Sequence, residues 1–189
     1  MTERRSDFPL TLPSPPPGGE DKGEGAHAEK VWIIGVGNDG KEGLSQTALG
    51  LIGKADLLIG GKRLLSFFPE SVAGTLALTS NLDEVVERIK AGYGSQRIVV
   101  LGSGDPNFYG ITATLNRRLP KEWFEVIPAV SAMQWAFARI KEPWDDAVFV
   151  SVHGTRPLEP LIDLARRSGK IGVFTDDAHS PPVIARALL

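Results

Sequence analysis

Ile98-Val99-Val100-Leu101-Gly102-Ser103-Gly104-Asp105-Pro106 is the stretch on which the fold turns. Four apolar residues, three of them β-branched, predict a strand covered on both faces, as the strands of a parallel sheet are. The run passes directly into glycines, an aspartate and a proline. A turn of that composition at the carboxyl end of a strand lies where open α/β sheets bind ligands. Val31-Trp32-Ile33-Ile34 repeats the arrangement and leads into Gly35-Val36-Gly37-Asn38-Asp39-Gly40.

Outward from these two runs, helical and strand patterns alternate. A helix is predicted from Ser45, with Ala48, Leu51, Ile52 and Ala55 on one face. Strands follow over 57–59 and 75–78. Ser80 and Asp83 resemble a capping box opening a helix over 82–91 that faces inward through Val85, Val86 and Ile89. Beyond Pro120, residues 124–127, 147–152 and 170–174 read as strands, and 131–141 and 158–167 as helices. Ser180 as N-cap and Pro181 in the first turn start a final helix. Such alternation predicts an α/β fold of βαβ units, mainly parallel in a first domain over 30–120, with a second α/β domain over 121–189. Residues 1–29 are rich in Pro, Gly and charge, a composition expected to stay outside the fold.

Composition narrows the function. The 189 residues carry a net charge of −2, and no cluster of Lys and Arg marks a nucleic-acid surface. Cysteine is absent, and His27, His153 and His179 stand apart, so neither a thiolate nucleophile nor a zinc site is expected. No apolar run approaches the roughly 20 residues of a membrane span, and no secretory signal opens the chain. The expectation is a cytoplasmic protein without membrane or nucleic-acid partners, for which a homo-oligomer is compatible.

The first glycine loop matches GxGxxG, the dinucleotide fingerprint, but the fingerprint also requires an acidic residue closing the second strand. That strand ends in Gly60-Gly61-Lys62 instead, and Gly40-Lys41-Glu42-Gly43 delays the following helix. An NAD(P)-dependent oxidoreductase therefore stays open as an alternative, as does a purely structural turn. In the second loop Gly104 permits close approach of backbone to ligand. Asp105 offers an acceptor, with capping of the next helix as its competing role. Trp32, Phe67, Phe68 and Trp135 are assigned to the core.

Four segments in order resemble the tetrapyrrole (corrin and porphyrin) methylases from Lys30 onward. They are Gly35 to Gly40; Gly104-Asp105-Pro106 with Tyr109-Gly110; Pro128-Ala129-Val130-Ser131-Ala132; and Val148 to Gly154. Gly60-Gly61-Lys62-Arg63-Leu64, Ala136-Phe137-Ala138-Arg139 with Pro143-Trp144, and Ser151-Val152-His153-Gly154 resemble the branch that methylates carbon 5 of a precorrin in cobalamin biosynthesis. The sequence departs from the family pattern at Asn38, which replaces a proline, and at Thr155, which precedes Arg156.

The resemblance implies a two-domain fold holding S-adenosylmethionine between the domains. It implies cofactor contacts from Gly37, Asn38, Ser103, Gly104, Asp105, Phe108, Ser131, Ala132, His153 and Gly154. Lys62, Arg63 and Tyr109 become candidates for the substrate, and His153 is the one candidate for proton transfer. A carbon-15 methyltransferase/decarboxylase is the implied partner or fused domain. Family members continue through further strands, so a mixed sheet in an incomplete second domain is expected, with little turnover from these residues alone. The same fold also serves methylases of protein side chains or ribosomal RNA, and a non-catalytic ligand-binding fragment is a further alternative.

Overall fold

The computed structural model describes residues 29–71, 73–153 and 157–189. The tail over 1–28 and Gly154 to Arg156 lie outside them, and with them most of the segment expected to remain unfolded. Five strands form the first sheet: β1 (Val31–Val36), β2 (Leu57–Gly60), β3 (Gly74–Ala77), β4 (Ile98–Ser103) and β5 (Phe124–Ile127). All pair in parallel in the order β3-β2-β4-β1-β5.

Side-chain alternation explains how this sheet is covered. Val31 and Ile33 of β1, Leu57 and Ile59 of β2, and Ile98 and Val100 of β4 point to one face. There they meet Val85, Val86 and Ile89 of α3 (Leu82–Gly92) and Leu115 of α4 (Ile111–Leu115). Ile34 and Val36, Leu58, and Val99 and Leu101 point to the other face. They pack on Ala48 and Ile52 of α1 (Gln46–Gly53), on Leu64 of the single-turn helix α2 (Lys62–Leu65), and on Phe68. Burial on both faces is what the unbroken apolar runs required.

Strand order and helix placement define a switch point. Chain leaving β1 moves toward β2 with α1 on one face, whereas chain leaving β4 moves the opposite way toward β5 with α4 on the other face. Right-handed crossovers produce this division. The carboxyl ends of the neighbouring strands β1 and β4 therefore part company and leave a crevice between them. Their register starts both loops level, with Gly35 opposite Gly102 and Val36 opposite Ser103.

The second sheet consists of β6 (Val148–Ser151) and β7 (Ile171–Phe174), paired in parallel; the mixed pairing expected there is absent among the described residues. Val152, Leu161 of α6 (Glu159–Ala165) and Ile184 of α7 (Pro181–Leu188) form its own small core. Between the sheets runs α5 (Ala132–Ile140). Its N-cap Ser131 and Gln134 exchange a reciprocal capping box, and Lys141 closes the helix in the left-handed region. Phe137 of α5 meets Phe149 of β6 edge-on.

Three sequence expectations need correction. Pro120 does not divide the sheets, because β5 lies beyond it and hydrogen-bonds to β1, so the first sheet runs to Ile127. Ser80 does not cap α3: Asn81 occupies the N-cap, its side chain accepting from Thr79 N–H and donating to Glu84. The helix after Asp105 does not begin there; α4 starts at Ile111, after a closed turn.

Three passes of chain cross above the switch point. Gly104 N–H donates to Val36 O at 2.8 Å, and Ala129 N–H donates to Gly104 O at 3.3 Å. Gly104 turns at φ +62°, and a Cβ on Gly35 would lie 2.1 Å from Gly104 O and 2.6 Å from Ala129 N. Backbone atoms are the obstacles, so no side-chain rotation relieves the overlap. Gly35→Ala should cost about 1–3 kcal/mol, each kcal/mol lowering Tm by about 2–4 °C. The contrasting variant Gly50→Ala sits in α1 with nothing within 4 Å of the added carbon. It should stabilise the protein by about 0.5–1 kcal/mol, measured by thermal denaturation.

Candidate functional site

A cleft of ≈ 760 Å³ opens over the crevice between β1 and β4. Its floor is the end of β4 and the two glycine loops, its walls are the start of α5, the loop carrying Tyr109, and the end of β6. Gly37, Asn38, Ser103, Gly104, Asp105, Phe108, Ser131, Ala132 and His153 all line it, as does Tyr109. Residues separated by more than a hundred positions thus converge on one volume, and that volume is in the range of small-molecule sites.

Individual groups have more than one duty. Asp105 Oδ1 accepts from Asn107 N–H at 2.8 Å, which stiffens the turn and leaves the other carboxylate oxygen for a ligand. The expected helix-capping role is not found: Gly110 is the N-cap of α4, and the Asp105 carboxylate closes the preceding turn instead. Gly37 makes room for its own neighbour: a Cβ there would lie 2.4 Å from Asp39 Oδ1. Ser131 Oγ is committed to the cap of α5, accepting from Gln134 N–H at 3.2 Å. The start of α5 presents backbone N–H groups and the positive end of the helix dipole to the cleft at Ala132. His153 stands exposed at the rim, its own N–H reaching Ser151 Oγ at 3.4 Å.

Lys62 and Arg63 fall outside the lining, on the rim at the end of β2. Arg63 Nη2 donates to Ser103 Oγ at 3.1 Å, and its guanidinium stands 5.7 Å from the centroid of Phe67. Tyr109 lines the cleft, yet its hydroxyl donates to Phe149 O at 2.7 Å.

Trp135, assigned to the core from sequence, is 42% exposed and lines both the main cleft and an adjoining cavity of ≈ 470 Å³. The helical spacing held the signal, since Met133 and Phe137 occupy the buried face of α5 and position 135 lies off it. Asp39 and Gln134 line the smaller cavity, which also shares Asp105 and Val130 with the larger one.

Topology also decides against a dinucleotide enzyme. In that fold the acidic end of the second strand lies beside the glycine loop of the first. Here β4 separates β1 from β2, and β2 ends in Gly60 followed by Gly61 and Lys62.

Fold and cleft define a parallel α/β protein with a cleft of small-molecule size at a switch point. The family model for tetrapyrrole (corrin/porphyrin) methylases matches residues 30–189, and the chain belongs to that family. It is 35% identical over 160 residues to the decarboxylating precorrin-6Y C(5,15)-methyltransferase of a Sinorhizobium species, covering 84% of this chain and 38% of that protein. To the cobalt-precorrin-7 C(5)-methyltransferase of Salmonella typhimurium it is 34% identical, covering 84% of this chain and 77% of that one. The crystal structure of the precorrin-6Y methylase of Archaeoglobus fulgidus shares the fold, with a TM-score of 0.61, 22% identity, and coverage of 78% and 74%.

The turn-closing bond of Asp105 can be separated from the ligand contact expected of its other oxygen. Asp105→Asn keeps the oxygen that accepts from Asn107 N–H and should leave Tm within about 1–2 °C, the range of a neutral surface change. It should weaken binding of S-adenosylhomocysteine by about 1.5–3 kcal/mol, the range for a hydrogen bond to a charged group. Asp105→Ala should lower both, as read by calorimetric titration and thermal melting.

Proposed function

We propose that this chain transfers a methyl group from S-adenosylmethionine to carbon 5 of a precorrin in cobalamin biosynthesis. The observation that carries the reading is the gathering of the family's separated segments into one cleft at the β1–β4 switch point. Carbon 5 is the position common to the names of both relatives, whose lengths the chain spans by 38% and 77%. Methylation or decarboxylation at carbon 15 would then belong to a separate or linked unit acting on the same substrate. Such a step is expected in the cytoplasm; among the described residues no helix is long and apolar enough to cross a membrane.

The lining fits the cofactor. Ala132 offers a backbone N–H, Gly104 permits close approach, Asp105 offers a carboxylate oxygen, and Trp135 offers an exposed aromatic ring. S-adenosylmethionine supplies an already activated methyl group on a sulfonium, so the protein needs no nucleophile of its own. What the chain must do is position and exclude. The turn around Asp105 is fixed by its own hydrogen bonds, and α5 is fixed by its capping box, so both present their groups without reorganising. Phe108, Trp135 and Phe174 supply apolar wall that limits water.

A precorrin carries many carboxylates, and two of the groups facing these cavities, Asp39 and Asp105, are themselves acidic. Substrate carboxylates are therefore expected to turn toward Lys62 and Arg63 on the rim. His153 remains the titratable side chain at the edge of the cleft for proton removal after methyl transfer.

Calorimetry tests the reading. S-adenosylhomocysteine should bind and NADPH should not, and incubation of S-adenosylmethionine with a precorrin should add the mass of one methyl group. Tight NADPH binding without S-adenosylhomocysteine binding would overturn it. The double reversal Lys62→Glu with Arg63→Glu should raise the apparent KM for substrate about tenfold or more, with a smaller effect on cofactor affinity. Unchanged substrate kinetics would remove both residues from the site.

A further inference from the structure

Tyr109 lies in the left-handed region at φ 54°, which bulky side chains hold only where their surroundings over-determine it. Those surroundings are visible. The preceding turn is closed by Asn107 N–H to Asp105 Oδ1 at 2.8 Å, Phe108 N–H to Asp105 O at 3.1 Å and Thr112 N–H to Pro106 O at 3.2 Å. From this turn the ring reaches the second sheet, its centroid 5.3 Å from that of Phe174, while Phe108 meets Phe149 at 5.2 Å.

The acceptor of its hydroxyl is equally specific. Val148 and Val152 direct their N–H groups at Lys170 O and Phe174 O, toward β7. Alternation along a strand then turns the backbone groups of Phe149 toward the opposite, open edge of β6. Tyr109 Oη donates to that carbonyl at 2.7 Å, so it satisfies a polar group on a sheet edge that pairs with no strand among the described residues.

We propose that Tyr109 is a positioning residue, a strut that ties the loop after β4 to the open edge of β6 and thereby sets the width of the cleft. A tyrosine here that is half exposed and lines the cleft resembles a substrate contact. Its hydroxyl is spent on the protein itself. The strained backbone directs the ring out of the turn and across the seam, and the aromatic contacts keep it there. The strut stands on geometry alone; only its effect on cofactor affinity rests on the methyltransferase reading.

Hydrogen exchange of the full chain tests the strut, using Tyr109→Phe, which keeps the ring and deletes the hydroxyl. Amides of β6 should exchange about five- to tenfold faster, the factor a single hydrogen bond sustains, while those of β1 and β4 stay unchanged. The Kd for S-adenosylhomocysteine should rise by about the same factor. Tyr109→Gly relaxes the backbone but removes strut and ring, and should accelerate β6 at least as much. Unchanged exchange in β6, or faster exchange spread evenly over both sheets, would overturn the proposal. Unchanged cofactor affinity with a raised substrate KM would return Tyr109 to the substrate. Should the unsubstituted protein fail to bind S-adenosylhomocysteine, the methyltransferase reading fails, and exchange in β6 still decides the strut.

Discussion

Two hydrogen bonds of Gly104 hold the molecule's functional end together. Its N–H reaches back to Val36 at the end of β1, and its carbonyl receives Ala129 N–H from the chain that leaves β5. In a parallel sheet the loops at one end are connected only through long crossovers, so nothing in strand pairing obliges three of them to meet. Here they meet because Gly104 can turn left-handed and Gly35 has no side chain to keep the others away. Once laced, they place Asp105, Ser131 and the amide end of α5 around one volume. Each group is then held by backbone rather than by mobile side chains, which suits chemistry that depends on alignment.

Charge is distributed to match. Arg97 holds Asp56 in a bidentate ion pair. Hydrogen bonding to that guanidinium lowers the Asp56 carboxyl to about 2. Both residues precede their strands, β2 and β4, and so stand at the amino end of the sheet, away from the cleft. Lys170, engaged by Asp146 and Glu142, does similar work at the start of β7. Exposed pairs of this kind contribute little each. Their placement keeps these two pairs off the cleft, whose acidic lining groups are Asp39 and Asp105.

Much of this was legible in the sequence, for identifiable reasons. Strands buried on both faces leave unbroken apolar runs, so β1, β2 and β4 could be read almost to the residue. The glycine loops announced a ligand end because few other residues permit such turns. Strand order was not legible: crossovers through helices are long enough to insert β4 between β1 and β2, and no local pattern records it. For the same reason β5 was assigned to the second domain, though its partner is β1. Composition marks Trp135 as core, and only its offset from Met133 and Phe137 shows otherwise. The resemblance offers Tyr109 to the substrate, and no local pattern shows that its hydroxyl's partner lies forty residues away on another sheet.

The central claim is that the three-loop crossing at the switch point is where the cofactor sits. Amide chemical shifts recorded while S-adenosylhomocysteine is titrated into the labelled protein test it most directly. The account predicts perturbations confined to the amides around Gly37 and Asn38, Ser103 to Asp105, Ser131 and Ala132, and His153. Shifts centred on α3, whose residues line neither cavity, or no saturable shifts at all, would contradict it.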